Sequence, residues 1–291
     1  MIRVGLIGLG KTGREVAKAL LEQDNIKLVS VISSPNSEKV GKDFGEFIGL
    51  PKTGITIDSS DHIEQVVFRT KPDVIVDFSN SEATLKNAVI FSRMKVNMVI
   101  GTTGFSKIAL KKLYILTKKY HNGIVYAPNI TLGVNVLMLL TNLASSILNN
   151  YDIHIREIHH KNKKDIPSGT ALKIAKEVEN ALTTCGIPLN KQEIPIDAIR
   201  AGGVVGRHEV MFIGEEDKIE ISHESFSRKA FALGAARAVK FIHGRSGYFE
   251  MDDVLDLNKI LEDYIQSHNN RRSKTRIRGG CVNEIDFYNC P

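Results

Sequence analysis

The sequence predicts an α/β protein: a doubly wound parallel sheet followed by a smaller α+β region with an open, mostly antiparallel or mixed sheet. Three observations predict it. Short, almost uninterrupted apolar runs recur through residues 2–127, as in strands buried on both faces. Segments with apolar residues at helical spacing alternate with those runs. Beyond Pro128 the rhythm changes to longer helical and alternating segments.

The elements follow in order. Residues 2–8 (IRVGLIG) read as a buried strand ending in a glycine turn. Residues 13–23 form a helix whose apolar side is Val16, Ala17, Ala19 and Leu20. Strands are predicted over 26–33, 74–78, 97–101 and 123–127, with helices over 82–94 and 108–119. After Pro128 come an apolar helix over 133–148, a strand over 151–159 and a helix over 169–182. Residues 194–226 carry β-like runs separated by glycine-bearing turns. A last helix, 228–242, places Phe231, Ala232, Ala235, Ala238 and Val239 at helical spacing. The expected division is 1–127, completed by 241–267, with 128–240 as a second domain; 268–291 is polar, basic and aperiodic, and is expected to be disordered.

Composition narrows the class. The chain has 291 residues, enough for two modest cores, and 42% hydrophobic and 25% charged residues are ordinary for a soluble protein. Net charge is +6, and half of that excess lies in residues 268–291, where Arg271, Arg272, Lys274, Arg276 and Arg278 face Glu284 and Asp286. The mildly basic body suits small anions and is weak evidence for nucleic acid. Cys185, Cys281 and Cys290 make neither a CxxC nor a disulfide framework, so no metal site is expected. No signal-like segment precedes the first strand and no apolar run reaches membrane-spanning length, so the expected location is the cytoplasm, away from membranes.

Gly8, Gly10 and Gly13 fit GxGxxG between a strand and a helix, the context in which that pattern binds a dinucleotide. Gly8 permits the turn, Gly10 lets pyrophosphate approach, and Gly13 lets helix pack on strand; Lys11 and Thr12 lie within the loop. The second strand ends at Ser33-Ser34-Pro35, without the carboxylate that bonds a ribose hydroxyl and repels a 2′-phosphate. With Lys11, Arg14 and Lys39 nearby, NADPH is accepted, alone or beside NADH. Phe78 and Ser79, and Gly101, Thr102 and Thr103, end the next two strands at the ligand-binding edge of such a sheet. Ala127, Pro128 and Asn129 begin the crossing to the second region and are candidates to hold the nicotinamide carboxamide.

Residues 157–171 (EIHHKNKKDIPSGTA) concentrate acid–base and anion-binding chemistry. An imidazole at His159 or His160 transfers protons near neutrality. Lys163 is a point cation for a carboxylate. Ser168, Gly169 and Thr170 open a helix, offering backbone N–H groups and hydroxyls to an anion. Arg228, at the start of its own helix, is a further carboxylate-binding candidate. The set reads as a pocket that grips a small dianion and protonates it.

With those residues in hand, the chain resembles the dihydrodipicolinate reductase family over roughly residues 1–260. The most specific match is HHxxKxDxPSGTA at 159–171; DFS at 77–79, GTTGF at 101–105, APNxxxGVN at 127–135, RxGxxxGxH at 200–208 and SRxxFAxGA at 227–235 follow the same order. The resemblance implies NAD(P)H-dependent reduction of 4-hydroxy-tetrahydrodipicolinate in lysine and diaminopimelate biosynthesis, with hydride delivered to ring carbon 4. It implies that His159 is the general acid and that Lys163 holds a substrate carboxylate. It implies that His160, Ser168, Gly169, Thr170 and Thr103 bind substrate, and that the second domain pairs its sheets into a homotetramer. Departures from the family pattern are a glycine loop one residue shorter than in many relatives, Ile166 in place of the usual Ala, where it is expected to crowd the loop, and the basic tail. The rival readings are another amino-dicarboxylate reductase or dehydrogenase, and a non-catalytic NADP-sensing or RNA-binding protein.

Overall fold

The computed structural model describes residues 1–187, 194–257 and 259–267. Met1–Val254 form one compact unit, which contains both sheets; the described residues from Leu255 to 267 belong to a second, helical over 259–267. The basic tail expected at 268–291 lies outside the described residues.

The first strands and helices are β1 (Ile2–Ile7), α1 (Lys11–Leu21), β2 (Ile26–Ser33), the short α2 (Phe44–Phe47), β3 (Ile57–Ser59), α3 (Ile63–Thr70) and β4 (Val74–Asp77). They continue as α4 (Ser81–Arg93), β5 (Asn97–Ile100), α5 (Lys107–Tyr120) and β6 (Gly123–Tyr126). The chain then runs through α6 (Leu132–Ile147), β7 (Asp152–His159), α7 (Gly169–Thr184), β8 (Ile196–Arg200), β9 (Gly206–Ile213) and β10 (Lys218–Ser225). Last come α8 (Lys229–Ile242), β11 (Gly247–Glu250) and α9 (Met251–Leu255). Side-chain caps start several of the helices: Asn80 accepts from the Ala83 N–H at 3.0 Å and Ser106 from the Ala109 N–H at 3.2 Å. β3 and α3 have no counterpart in the sequence reading. β3 is three residues long and α3 eight, too short for periodicity alone to mark them.

Among the described residues the large sheet is parallel, ordered β11-β6-β5-β4-β1-β2-β3. Alternation divides its apolar residues between two faces. Ile7, Ile32, Ile75, Met98, Ile100 and Ile124 pack with Ile63 and Val66 of α3, Phe91 of α4 and Leu113 of α5. Val4, Leu6, Val76, Val99 and Val125 are buried towards α1 and α8. Burying such a side chain contributes about 1.5–3 kcal/mol each, which makes these near-continuous apolar strands stable only with helices on both sides. α8 already packs on α1 and on β4, β5 and β6. The chain has therefore returned to the large sheet ahead of the boundary expected at 240/241. Asn97 fixes the return: its Nδ2 donates to the carbonyls of Ile242 and Arg245 at 2.7 and 3.0 Å, and its Oδ1 accepts from the Gly123 N–H at 2.6 Å.

The second sheet is mixed, ordered β10-β9-β7-β8, with β7–β8 parallel and the other pairs antiparallel. Its inner face carries Ile153, Ile155, Val210 and Phe212 against α6 and α7. Among the described residues no helix is long and apolar enough to cross a membrane.

Candidate active site

β1 and β4 are neighbours whose following helices cover opposite faces of the sheet, and that arrangement opens a crevice at the strands' carboxyl edge. Gly8 turns there at φ +96°, and a Cβ on it would lie 2.5 Å from the Phe78 carbonyl. A Cβ on Gly13 would collide with the Gly8 carbonyl oxygen. Gly10 is different: nothing lies within 4 Å of where its Cβ would be, and it begins α1 without a side-chain cap. An open glycine before uncapped helix N–H groups fits a pyrophosphate.

Beside this turn two cations approach one aromatic ring. The Arg14 guanidinium and Lys39 Nζ lie 5.1 and 5.8 Å from the Phe47 ring centroid, and Lys39 also donates to the Leu9 carbonyl at 2.9 Å. On the other side Asp77 ends β4, fully buried. Its Oδ1 accepts from the Ser79 N–H at 2.8 Å, the Ser79 hydroxyl at 2.6 Å and the Thr102 hydroxyl at 3.2 Å. One carboxylate thereby pins both loops at the crevice. Burial pushes its pKa up against these hydrogen bonds.

Between these loops and the second sheet lies a cleft of about 880 Å³. Its wall holds Gly10, Lys11, Thr12, Gly13, Phe78, Ser79, Gly101, Thr102, Thr103, Pro128 and Asn129 on one side, and His159, His160, Lys163, Gly169, Thr170 and Arg228 on the other. The structure therefore gathers most of the residues singled out from the sequence in one place. Gly8, Ser33, Ala127 and Ser168 stand behind that wall: the last three are buried, and Gly8 underlies the turn. Ile166 does not crowd the loop, because it is 62% exposed.

The acid–base chemistry sits where β7 ends. Alternation along β7 turns Ile153 and Ile155 to the core, and continuing it turns Glu157 and His159 the same way. Glu157 is fully buried. Its Oε1 accepts from the Ser168 N–H at 3.0 Å and from Arg200 Nη2 at 2.7 Å, while Oε2 makes a 2.5 Å ion-pair contact with His159 Nδ1. Burial pushes Glu157 up, but Arg200, the Ser168 N–H and His159 bring it below the ordinary carboxylate value, so it is ionised. Burial is the largest influence on His159 and holds it below an ordinary histidine. Glu157 opposes that shift, and Lys163 and Arg200 add to it. His208 packs edge-on at 5.1 Å between ring centroids and lies 3.3 Å from the Ser168 hydroxyl; burial pushes it down to about 3, so it is neutral.

The anion-binding part lies alongside. Ser168 Oγ caps α7, accepting from the Ala171 N–H at 3.2 Å. The Thr170 hydroxyl donates to Asn129 Oδ1 at 2.6 Å, which ties the start of α7 to the loop after β6. Lys163 Nζ sits 2.8 Å from Asp165 Oδ1. Burial, then the charges of Arg228 and Lys11, hold His160 low. The wall's cations, Lys11, Lys163, Lys173 and Arg228, outnumber its one carboxylate, Asp165, and the cleft favours a dianion.

Glu157, Arg200, His208 and His223 belong to this site and were given no role by the sequence reading. Extending the β7 alternation two steps finds Glu157. The other three arrive by sheet register: His208 pairs with Glu157 and with His223, and Arg200 with His159. Glu157, His159 and His208 are also close enough, within 4.8 Å, to hold a metal ion. Arg200 already neutralises that carboxylate and would repel a second cation.

An open glycine turn for a dinucleotide, facing a cationic pocket with a buried histidine, defines a nicotinamide-dependent reductase of a small anionic substrate. Comparison with known proteins agrees. Residues 2–130 match the model for the dihydrodipicolinate reductase N-terminus and residues 133–255 that for its C-terminus. The chain is 37% identical over 272 residues to the 4-hydroxy-tetrahydrodipicolinate reductase of Methanocaldococcus jannaschii, covering 89% of this chain and 99% of the relative. It is 39% identical over 269 residues to that of Methanopyrus kandleri, covering 88% and 97%. Among solved structures, a dipicolinate-bound dihydrodipicolinate reductase from Paenisporosarcina sp. TG-14 superposes with TM-score 0.69 at 26% identity, covering 87% of this chain and 98% of that one. The chain belongs to the dihydrodipicolinate reductase family.

Proposed function

We propose that the protein reduces 4-hydroxy-tetrahydrodipicolinate to tetrahydrodipicolinate in lysine and diaminopimelate biosynthesis, as a cytoplasmic homotetramer. The observation that carries this reading is one cleft that joins the open Gly10 turn to His159, Lys163 and the start of α7. Residues 1–127, completed by α8 and β11, would serve the cofactor, and 128–228 the substrate.

Loss of the hydroxyl of ring carbon 4 with a hydrogen of carbon 3 releases water and leaves a conjugated imine; hydride then adds to carbon 4 and a proton to carbon 3, so one hydride and one proton are consumed. The reduced nicotinamide, when bound, supplies the hydride, to ring carbon 4. The chain supplies the rest. Gly10 and the start of α1 would hold the pyrophosphate, and the loops pinned by Asp77 would frame the nicotinamide. Lys163 and the N–H groups and hydroxyls of 168–170 hold substrate carboxylates, with His160, Thr103 and Arg228 around them. His159 then protonates the enamine carbon left by hydride addition. Negative charge that grows on the ring is met by fixed dipoles and cations, which need no reorganisation as the reaction proceeds.

The same reading assigns NADPH as the better cofactor, with NADH also used. No carboxylate ends β2, and Arg14 and Lys39 both approach the Phe47 ring, with Lys39 bonded to the glycine turn at Leu9. The tetramer is supported by the outer face of the mixed sheet, where Ile199 and Ile213 are about two-fifths exposed.

The test is oxidation of NADPH, and separately NADH, with substrate formed in place from pyruvate and aspartate semialdehyde by the preceding synthase. Substrate-dependent oxidation, faster with NADPH and lost in His159→Gln while NADPH still binds, is expected. Folded, cofactor-binding protein without that activity would overturn the reading in favour of another amino-dicarboxylate reductase.

A further inference from the structure

We propose that Glu157 is a positioning residue that fixes His159 with Nδ1–H towards the protein and Nε2 towards the substrate, and couples that setting to the anion-binding start of α7. The proposal rests on the reading of His159 as the proton donor.

Three contacts on one buried carboxylate carry it. Oε2 faces His159 Nδ1 at 2.5 Å, and Oε1 takes the Ser168 N–H at 3.0 Å and Arg200 Nη2 at 2.7 Å. The Oε2···Nδ1 approach is a close ion-pair contact rather than an aligned hydrogen bond; because an ionised carboxylate only accepts, it favours the imidazole proton on Nδ1, the nitrogen beside it. That leaves Nε2 as the edge that gains and gives a proton. The structure keeps this edge clear: Nε2 faces Gly206, where even a Cβ would stand only 3.0 Å from it, and Gly206 lines the cleft. The Ser168 N–H precedes the first turn of α7, so the same carboxylate sets the donor and the carboxylate-binding end of that helix relative to each other. A carboxylate behind an imidazole both orients the ring and stabilises its cation.

The charged and titratable groups facing His159 come from every neighbouring element. Glu157 lies on its own strand, Arg200 on β8, His208 on β9 and Lys163 in the loop that follows, with His223 one strand further, beyond His208. Arg200 and Lys163 are cations that disfavour a charged imidazole. His208 is neutral. Glu157 is thus the group in this set that favours the protonated donor.

Glu157→Gln keeps the shape and an acceptor for Ser168 and Arg200, but removes the charge and can place an amide N–H against Nδ1. Turnover is expected to fall about 100-fold at neutral pH, with KM for substrate changed by less than about threefold. The alkaline limb of the turnover profile is expected to move to lower pH by about one unit. In a His159→Gln background the same change is expected to cost nothing further, because the residue acts through the ring that has been removed. Additive losses, or a limb that stays in place, would overturn the proposal and leave Glu157 a structural residue. Wild-type turnover in His159→Gln alone would instead sink the donor assignment itself. Should Glu157→Gln fail to fold, the ¹⁵N shifts of the His159 ring in the wild-type protein decide the matter. A neutral ring protonated on Nδ1 is expected, and one protonated on Nε2 refutes the assignment.

Discussion

Lys163 and Asp165 form a closed pair, with Nζ 2.8 Å from Oδ1, at the place where the substrate's carboxylate is proposed to bind. Asp165 thus occupies the cation that the ligand needs, and a dianion has to displace it. An exposed or half-exposed pair of this kind is worth about 0–1 kcal/mol, or up to about fivefold in affinity. Asp165→Asn is therefore expected to tighten binding of dipicolinate about two- to fivefold, measured by calorimetry with NADPH present. Lys163→Ala is expected to weaken it at least tenfold, the loss typical of a charge-assisted contact of about 1.5–3 kcal/mol. Weaker binding in Asp165→Asn would show instead that Asp165 holds Lys163 in its working position.

The glycine turn separates two effects that sequence patterns merge. A Cβ on Gly10 meets no protein atom within 4 Å, whereas one on Gly13 meets the Gly8 carbonyl oxygen. Gly10→Ala is expected to leave the unfolding midpoint nearly unchanged and to weaken NADPH binding at least tenfold, because the methyl enters the space kept for pyrophosphate. Gly13→Ala is expected to lower stability by about 1–3 kcal/mol, the usual cost of forcing a group into a filled site. Thermal melts with and without NADPH check both. Equal stability losses in the two variants would contradict the assignment of the open space to a ligand.

How much of this was legible in the sequence depends on how far apart the cooperating residues lie. The large sheet was legible because each strand and helix carries its own local pattern. His159, Lys163 and Ser168–Thr170 were legible because they fall in one short segment. Asp77 was quoted within its motif, yet its task of pinning Ser79 and Thr102 comes from packing of two strand ends. Arg200 and His208 lie 43 and 51 residues from Glu157, and sheet register alone brings them to it. Glu157 has no role in any of the motifs that mark the site. The period-two burial of Ile153 and Ile155 was the signal that places it inside. Ser33, a strand-end serine read as a cofactor contact, is buried, outside the residues that line the cleft.

The buried histidines give the fold a dependence on pH whose direction follows from their environment. Burial holds His208 down to about 3, against an ordinary value of 6.5. The folded protein therefore binds fewer protons than the unfolded chain across that interval, and stability falls as pH drops through it. Above the ordinary value both states are neutral at this residue and its contribution is complete. Between about pH 7.5 and pH 5 the loss from His208 alone reaches about 2 kcal/mol, at about 1.4 kcal/mol for each unit below the unfolded-state value. His159, His160 and His223 are shifted the same way and add to the slope, so the residue is isolated by difference. Denaturant unfolding at fixed protein concentration, at both pH values, is expected to show a drop smaller by about 2 kcal/mol in His208→Gln than in the wild-type protein. Its stability at the higher pH would be reduced by no more than the loss of the Ser168 contact, about 1 kcal/mol. An identical drop in both proteins would mean that His208 is protonated within the fold.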